Sequence, residues 1–218
     1  MIDLHTHTFF SDGCLSPSEL VYRAKHIGYE AIAICDHLDL SNLDFVIPRI
    51  KRVCGILGKE YGIKVLAGAE ITYIPPRLIK NVIALARRLG AEVIVVHGET
   101  VAETVPPGTN HAAIMAGADI LAHPGYLTSR DAELARKHNV RLELTARKMH
   151  SKTNTHVARL AKSAGAKLVL NTDTHEPEDL ITDKRALEVV RKCGLGEKDL
   201  KEMVNNSWSI VNRIRRKK

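Results

Sequence analysis

The chain has 218 residues, of which 44% are hydrophobic and 26% are charged. This composition is ordinary for a folded protein, and the length suffices for one domain with a full hydrophobic core, which we expect to span residues 1–218. No apolar run reaches the roughly 18 residues that a transmembrane helix needs, and the first residues lack the basic and apolar regions of a signal peptide. These features exclude a membrane partner and predict a cytoplasmic location.

The formal net charge is +7, which suits an anionic partner such as a phosphorylated substrate or, as a further possibility, a nucleic acid. Much of the excess lies in a predicted basic C-terminal helix or tail at about 197–218, which contains Arg213, Arg215, Arg216, Lys217 and Lys218. A basic tail is most often solvated, and contact with a nucleic acid is the less common alternative. The oligomeric state has no signal in the sequence.

The cysteines are widely spaced and form no CxxC pair. This spacing argues against a disulfide framework and against a structural zinc site made of thiolates. We therefore predict reduced cysteines that serve as small core residues, at Cys14, Cys35, Cys54 and Cys193.

Glycines divide the chain into repeated helix and strand units. Five of them stand where a helix is expected to end, and each is followed by a short, unbroken apolar run. Glycine ends helices because it adopts the left-handed conformation easily, and unbroken apolar runs are typical of strands buried on both faces of a parallel sheet. With two further runs, the pattern predicts seven strands, at residues 2–7, 31–35, 65–67, 93–96, 120–122, 141–145 and 168–170.

The intervening helices carry recognisable start signals. Ser16-Pro17-Ser18-Glu19 is a capping box with proline at the first helical position. Pro76 begins a run that extends to Leu89, and Thr109 is expected to cap a helix over 110–116. Strands and helices that alternate without a composition break predict an α/β fold. Seven units favour a closed or nearly closed barrel, with a doubly wound open sheet as the alternative.

Metal-binding residue types follow six of the seven predicted strands. In parallel α/β folds the C-terminal ends of the strands face the active site. Each such residue has a structural explanation by itself, but their joint placement predicts a metal centre. The residues concerned are His5, His7, Asp36, His37, Glu70, His97, Glu99, His123, Asp173 and His175.

This set is larger than one ion requires. His5 and His7, two residues apart in an extended strand, point to the same side and can hold one metal together. A single zinc ion takes about three or four ligands, so the set predicts two or three divalent ions, with Glu70 able to bridge them. Imidazole suits zinc, iron and manganese, whereas carboxylates suit manganese and magnesium. Such a centre fits attack of metal-activated hydroxide on phosphorus.

With these residues the chain resembles the PHP (polymerase and histidinol phosphatase) family, from His5 to His175. The residues from His5 to Gly13 look like the first motif of that family. The later motifs are matched by Asp36-His37, Gly68-Ala69-Glu70, His97, His123-Pro124-Gly125 and Asp173-Thr174-His175. The resemblance implies a distorted (βα)7 barrel, similar to a TIM barrel, with a trinuclear cluster of zinc, manganese or iron.

The resemblance also implies which residues hold each ion. His5, His7, Glu70 and Asp173 would hold the first ion, Glu70, His97 and His123 the second, and Asp12, His37 and His175 the third. All nine positions carry a competent ligand, so the site is expected to be intact. Asp12 is the least defined of them, because Ser11-Asp12-Gly13 equally fits a plain turn.

Further residues near the strand ends are candidates for supporting roles. Arg147, after the sixth strand, can clamp phosphate or lie solvated in its loop, and we expect it to act in catalysis with Asp173 and His175. Asp36 is expected to orient a ligand. Glu99 is expected either to support the site or to lie on the surface. The long loop from Gly98 to Thr109 is predicted to border the substrate entrance.

The remaining histidines fall outside the motifs. We expect His138 and His156 on helix surfaces. His111 and His150 are expected near the rim, where they could touch substrate.

Three functions are compatible with these residues. The favoured one is a metal-dependent phosphoesterase that hydrolyses a small phosphomonoester, in the manner of a histidinol phosphatase or nucleotide phosphatase. The alternative is a nuclease that acts on DNA or RNA ends, but the low aromatic content, 4%, offers few stacking platforms for single strands. A non-catalytic RNA-binding barrel subunit is the third; the basic tail favours it, and the complete ligand set argues against it.

Overall fold

A computed structural model describes residues 1–215, and every predicted apolar run forms a strand in it. The strands are β1 Ile2–Thr6, β2 Ala31–Ile34, β3 His37–Leu38, β4 Lys64–Ile71, β5 Val93–His97, β6 Ile120–Ala122, β7 Arg141–Thr145 and β8 Leu168–Asn171. Two differences from the sequence pattern matter for the site. The short strand β3 was not predicted, and β4 continues through Glu70 because β3 and β5 pair with its second half.

Within residues 1–215, eight α-helices connect and flank the strands: α1 Pro17–His26, α2 Leu43–Tyr61, α3 Pro76–Leu89, α4 Thr109–Met115, α5 Ser129–His138, α6 Asn154–Ala164, α7 Asp183–Lys192 and α8 Glu197–Arg215. Single turns of 3₁₀ helix lie at His150–Thr153 and Pro177–Asp179. The predicted starts of α1 and α3 are confirmed, and the Ser16 hydroxyl accepts a hydrogen bond from the backbone N–H of Glu19.

The predicted cap of α4 is wrong by one residue. Thr109 is the first residue of the helix, and its hydroxyl donates to the carbonyl of Pro106 at 2.6 Å. The carboxylate of Glu99 does the capping instead, because it accepts from the backbone N–H groups of Gly108 and Asn110 at 3.1 and 2.9 Å. Glu99 therefore anchors the loop before α4.

The prediction that glycines end the helices is confirmed at all five positions. These glycines have positive φ: Gly28, Gly62, Gly90, Gly117 and Gly165. The connection from α5 to β7 departs from the pattern, since its C-cap residue is Asn139, with φ 56°, and not a glycine.

The strands form a nearly closed barrel. All pairings are parallel, in the order β1-β2-β4-β5-β6-β7-β8, with β3 beside β4. The seam between β1 and the end of β8 is joined by backbone hydrogen bonds from His7 to Thr174 at 2.8 Å and from Asp173 to His5 at 3.0 Å. The predicted α/β barrel, a distorted TIM barrel, is confirmed over the open sheet.

One end of the barrel interior is packed with apolar side chains. Residues near the starts of the strands, such as Leu4, Val93 and Ile120, form a buried cluster with Ile210 and Val211 of α8. Helix α8 therefore covers the end opposite to the strand C-termini. A second, larger cluster fills the layer between the strands and the outer helices.

Part of the predicted basic tail has a structural role. Arg213 of α8 and Arg87 of α3 both form ion pairs with the buried carboxylate of Asp119, which stands just before β6. Residues 216–218 lie outside the described part of the chain, and the organisation of residues 1–218 as one domain stays a prediction. Within residues 1–215 the structure contains no helix with the length and hydropathy that a bilayer span requires.

The four cysteines are unpaired in the structure. Cys35 and Cys54 are buried and Cys193 is partly buried, as expected for small core residues. Cys14 is exposed, contrary to the prediction, because it lies in the loop that leads from β1 to α1.

Candidate metal centre

The nine predicted ligands lie together at the C-terminal ends of the strands. Their ligand atoms form four overlapping groups, and within each group the atoms lie within 4.8 Å of one another. The groups are His7, Asp12, His37 and His175; His5, His123 and Asp173; His5, His7 and Glu70; and Glu70, His97 and His123. The structure thus brings all nine residues into one cluster.

The first pair of histidines has the spacing of ligands that share an ion. His5 and His7 direct their Nε2 atoms toward each other, 3.1 Å apart. Two nitrogens bound to one zinc ion at about 2.1 Å stand roughly 3 to 3.4 Å apart, so this separation fits coordination. Asp173 Oδ1 lies 3.2 Å from His7 Nε2 and 3.7 Å from His5 Nε2.

Glu70 lies at the centre of the cluster. Its Oε1 is 3.2 Å from His5 Nε2 and 3.7 Å from His123 Nε2, while its Oε2 is 3.6 Å from His7 Nε2 and 2.7 Å from His37 Nδ1. Both oxygens are buried, and neither has a well-aligned hydrogen-bond donor among residues 1–215. A buried carboxylate that lies between several imidazoles and has no aligned donor in the described residues is suited to bridge two metal cations.

The turn after β1 carries Asp12 into the cluster. Asp12 Oδ1 is 3.1 Å from His175 Nε2 and 3.7 Å from His37 Nε2, although its side chain is 57% exposed. Asp36 holds this turn, because its carboxylate accepts from the backbone N–H of Thr8 at 2.7 Å. Asp36 thus orders the loop that carries the predicted ligand Asp12, and its expected role in orienting a ligand stays a prediction.

The electrostatics of the cluster favour protons or cations at its centre. Burial lowers the pKa of His37, but the carboxylate of Glu70 outweighs this and raises it to about 9. Burial, followed by the charge of Glu70, raises the pKa of Asp173 to about 7 against the opposing charge of His5. Burial also holds the pKa of His7 well below its ordinary value. Divalent ions bind such groups by displacing their protons.

Two predicted ligands have strained backbones. His123 and Asp173 have φ values of 26° and 56°, in the left-handed region that residues with side chains rarely adopt. Strain of this kind persists where the surroundings enforce it, and it is common at functional sites. Close packing restrains the backbone near His123, since a Cβ atom added to Gly125 would lie 1.9 Å from the carbonyl oxygen of Glu99.

Sequence reasoning missed Glu143, a fully buried carboxylate in β7. Its Oε1 accepts hydrogen bonds from His5 Nδ1 at 2.9 Å and Asn171 Nδ2 at 2.8 Å, and its Oε2 accepts from the backbone N–H of His123 at 3.1 Å. Glu143 thereby fixes the tautomer of His5 and leaves Nε2 to face the cluster. The available signal was a charged residue inside the apolar run Leu142-Glu143-Leu144.

Arg147 lies at the edge of the cluster. Its Nη1 donates to the carbonyl of Asp173 at 3.1 Å and also contacts His175 Nδ1. Its side chain is 30% exposed. The guanidinium is therefore held beside two predicted ligands while one edge stays accessible.

The loop between β5 and α4, which was predicted to border the substrate entrance, reaches the cluster through Glu103. Glu103 in this loop contacts His97 and His150. The sequence did not indicate Glu103, and it placed His150 near the rim without a partner. Three further histidines outside the motifs have contacts of their own or partial burial: His111 is exposed and pairs with Asp131, His156 contacts the carbonyl of Leu127, and His138 is partly buried at the end of α5.

The sequence is similar to proteins from archaea and bacteria. It is 46% identical to an uncharacterized protein of Methanocaldococcus jannaschii, over 97% of this chain and 99% of that protein. It is 31% identical to a protein named "Probable phosphatase" from Shewanella loihica, over 88% of this chain and 85% of that protein.

Solved structures share the fold at low identity. A chain in the cryo-EM structure of archaeal ribonuclease P with mature tRNA matches 98% of this chain and 91% of its own length, with a TM-score of 0.74 and 17% identity. A structure of metal-dependent tyrosine phosphatases from Bacillus subtilis and Streptococcus pneumoniae matches 99% of this chain and 93% of its own length, with a TM-score of 0.61 and 15% identity. The family model described as PHP domain matches residues 3–164. The chain therefore belongs to the PHP domain family.

Proposed function

We propose that this protein is a metal-dependent phosphoesterase that hydrolyses small phosphomonoesters, as a histidinol phosphatase or nucleotide phosphatase does. The observation that carries the proposal is the buried carboxylate of Glu70, surrounded by four imidazoles and without an aligned donor in the described residues. Against the effect of burial, the charge of Glu70 raises the pKa of His37 to about 9, so protons on the imidazoles balance that charge without metal, and divalent cations would displace those protons. The name of the Shewanella loihica relative agrees with this activity.

Nine residues would hold two or three divalent ions of zinc, manganese or iron. His5, His7, Glu70 and Asp173 would hold the first, Glu70, His97 and His123 the second, and Asp12, His37 and His175 the third. When bound, such ions lower the pKa of water and neutralise the charge of phosphate oxygens.

The protein's own groups would orient the substrate and handle the proton. The exposed edge of Arg147 would donate to a phosphate oxygen, since its guanidinium fork matches two oxygens at once. The carboxylate of Asp173, fixed between His7 and Arg147, would accept the proton of the attacking water. His175, whose Nδ1 lies 2.9 Å from the carbonyl of Asp173, would keep Nε2 directed at the third ion.

A surface cleft beside the cluster offers room for a small substrate. A cleft of about 350 Å³ opens beside Asp12 and His37 and is bounded by Thr72, Tyr73 and Glu103. Sites for small ligands commonly measure about 300–1,000 Å³. A phosphomonoester with a compact leaving group fits within this space.

The test is a panel of phosphomonoesters, phosphodiesters and oligonucleotides, assayed with manganese, zinc or iron. The variants Glu70→Gln and His7→Ala should lose phosphatase activity and bound metal together. Glu133→Gln, an exposed glutamate on α5, makes the same change of charge away from the strand ends and should keep both. Full activity in Glu70→Gln or His7→Ala with manganese would rule the proposal out.

A second candidate, hydrolysis at nucleic-acid ends, is favoured by the rim of the barrel. Each of the first six loops that follow a strand and lead toward a helix exposes one large apolar side chain: Phe9, Leu40, Tyr73, Val101, Tyr126 and Met149. Three of these are aromatic, so the low aromatic content of the chain does not deprive this rim of stacking surfaces. Bases stack on such side chains with little regard to sequence.

The rim separates the two candidates experimentally. Loss of a stacking contact costs about 1–3 kcal/mol, or roughly 5- to 150-fold in affinity. Under the nuclease hypothesis Tyr126→Ser should raise the KM for a short oligonucleotide by that factor, whereas for an aliphatic phosphomonoester it should stay unchanged. If Tyr126→Ser leaves the KM for the oligonucleotide unchanged, as well as the KM for the phosphomonoester, the rim gives no reason to prefer nucleic acid.

The third hypothesis, a non-catalytic RNA-binding subunit, has less support. Its sequence argument was the basic tail, but Arg213 is engaged with Asp119 inside the fold. Metal analysis of the purified protein separates the hypotheses, since a metal-free protein with tight RNA affinity would favour the subunit.

A further inference from the structure

Glu103 occupies a position in the cluster that none of the nine motif residues fills. It lies in the loop between β5 and α4, and its Oε2 is 3.3 Å from His97 Nε2. The Nδ1 atom of His97 lies 3.1 Å from the carbonyl of Gly98, to which it donates, so Nε2 is the atom that can bind a metal. A carboxylate oxygen at this distance has the separation expected for two ligands of one ion.

The loop is held in this position at both of its ends. Glu99 accepts from the backbone N–H groups of Gly108 and Asn110. Thr100 contacts His150 Nδ1 at 3.0 Å, and His150 Nε2 lies 3.4 Å from Glu103 Oε1. The buried imidazole of His150 thus connects the start of the loop to the carboxylate at its middle.

The group formed by Glu70, His97 and His123 has room for another ligand. It offers three protein ligands, whereas zinc commonly takes four and harder ions take more. We propose that Glu103 is a tenth metal ligand, which completes the coordination of the ion held by these three residues, and that His150 positions it. The proposal rests on the metal centre proposed above.

Direct coordination has a consequence for the catalytic cycle. The side chain of Glu103 is 42% exposed and belongs to a loop, whereas the other ligands of this ion belong to strand ends and are buried. Glu103 is therefore the ligand that can leave at least cost. A phosphate oxygen of the substrate would compete with it for the same position on the ion.

The alternative is an ordinary ion pair between Glu103 and His97, and metal binding distinguishes the two. Purified protein loaded with cobalt, and separately with zinc, would be titrated with a chelator while bound metal and the visible cobalt spectrum are recorded. Glu103→Gln should lower the affinity of one ion by at least about 10-fold and change the cobalt bands. The matched control Glu133→Gln should change neither.

His150→Gln tests the positioning role. If His150 acts through Glu103, the double variant should bind metal no more weakly than Glu103→Gln alone, because the two effects share one contact. Strictly additive losses would overturn the role of His150. Identical chelator midpoints and cobalt spectra for Glu103→Gln and Glu133→Gln would overturn the coordination itself. If the unmodified protein binds no metal, the proposed function fails as well. The two failures are distinguishable, because metal binding by the unmodified protein is lost only in the second.

Discussion

Glu143 supports two predicted metal ligands at once, and Glu143→Gln isolates that support. Its two oxygens accept from His5 Nδ1 at 2.9 Å, from Asn171 Nδ2 at 2.8 Å and from the backbone N–H of His123 at 3.1 Å. Glutamine has one oxygen and one NH2 group, so at least one of these donors loses its acceptor. An unpaired buried donor costs about 1–3 kcal/mol. The free energy of unfolding of the metal-free variant should fall by that amount.

The same substitution should weaken metal binding. Burial lowers the pKa of His5, but the charges of Glu143 and then Glu70 outweigh it and hold that pKa well above its ordinary value. Removal of one charge makes the imidazole less basic, and losing such a hydrogen-bonded partner typically costs about 10- to 100-fold in metal affinity. Urea unfolding of the metal-free protein and chelator titration of the loaded protein measure the two effects. The reasoning is refuted if Glu143→Gln matches Glu133→Gln in both measurements.

Four further predictions address other parts of the fold. Gly125→Ala should destabilise the protein by more than about 2 kcal/mol, because φ is +64° and the added Cβ would meet a carbonyl oxygen at 1.9 Å. Its control Gly55→Ala, inside α2 with nothing within 4 Å, should stabilise by about 0.5–1 kcal/mol in urea titrations. Arg147→Ala should raise the KM for phosphomonoesters at least about 10-fold while the metal content measured by mass spectrometry is unchanged. The pKa of His37, lowered by burial but raised by neighbouring carboxylates, is about 9, so protonated His37 contributes stability that is complete below pH 6.5 and lost as the pH rises through 9. The urea midpoint of the metal-free protein should therefore fall between those pH values, and His37→Asn should reduce the fall. Ile210→Ala should cost about 2–5 kcal/mol with a chelator midpoint equal to that of the unmodified protein, and a shifted midpoint would contradict the separation of the two barrel ends.

The sequence predicted the strands well because each is buried on both faces and therefore reads as an unbroken apolar run. It missed β3, since a two-residue strand such as His37–Leu38 carries no periodicity. Helix ends were predictable where a glycine marks them. The start of α4 was not, because the capping group is Glu99, ten residues before the helix.

The site could be anticipated only where residues stand at strand ends. His5 and Asp173 are adjacent in space because β1 and β8 meet at the barrel seam, which follows from the predicted fold. Glu143 and Glu103 escaped notice for different reasons. Glu143 lies within a strand, and the barrel geometry decides which of its side chains face the interior. Glu103 lies in a loop whose path depends on contacts with Glu99 and His150.

The two ends of the barrel are stabilised by different physics. At the strand starts, apolar side chains of α8 and the barrel interior supply burial that needs no cofactor. At the strand ends, the interior holds carboxylates and imidazoles, including Glu70 without an aligned donor, and two strained backbone positions. Any ion that binds the folded state but not the unfolded chain stabilises it in proportion to the logarithm of its concentration. The free energy of unfolding of the metal-free protein should therefore depend mainly on packing at the α8 end. The increase in that free energy on adding metal should depend on the cluster.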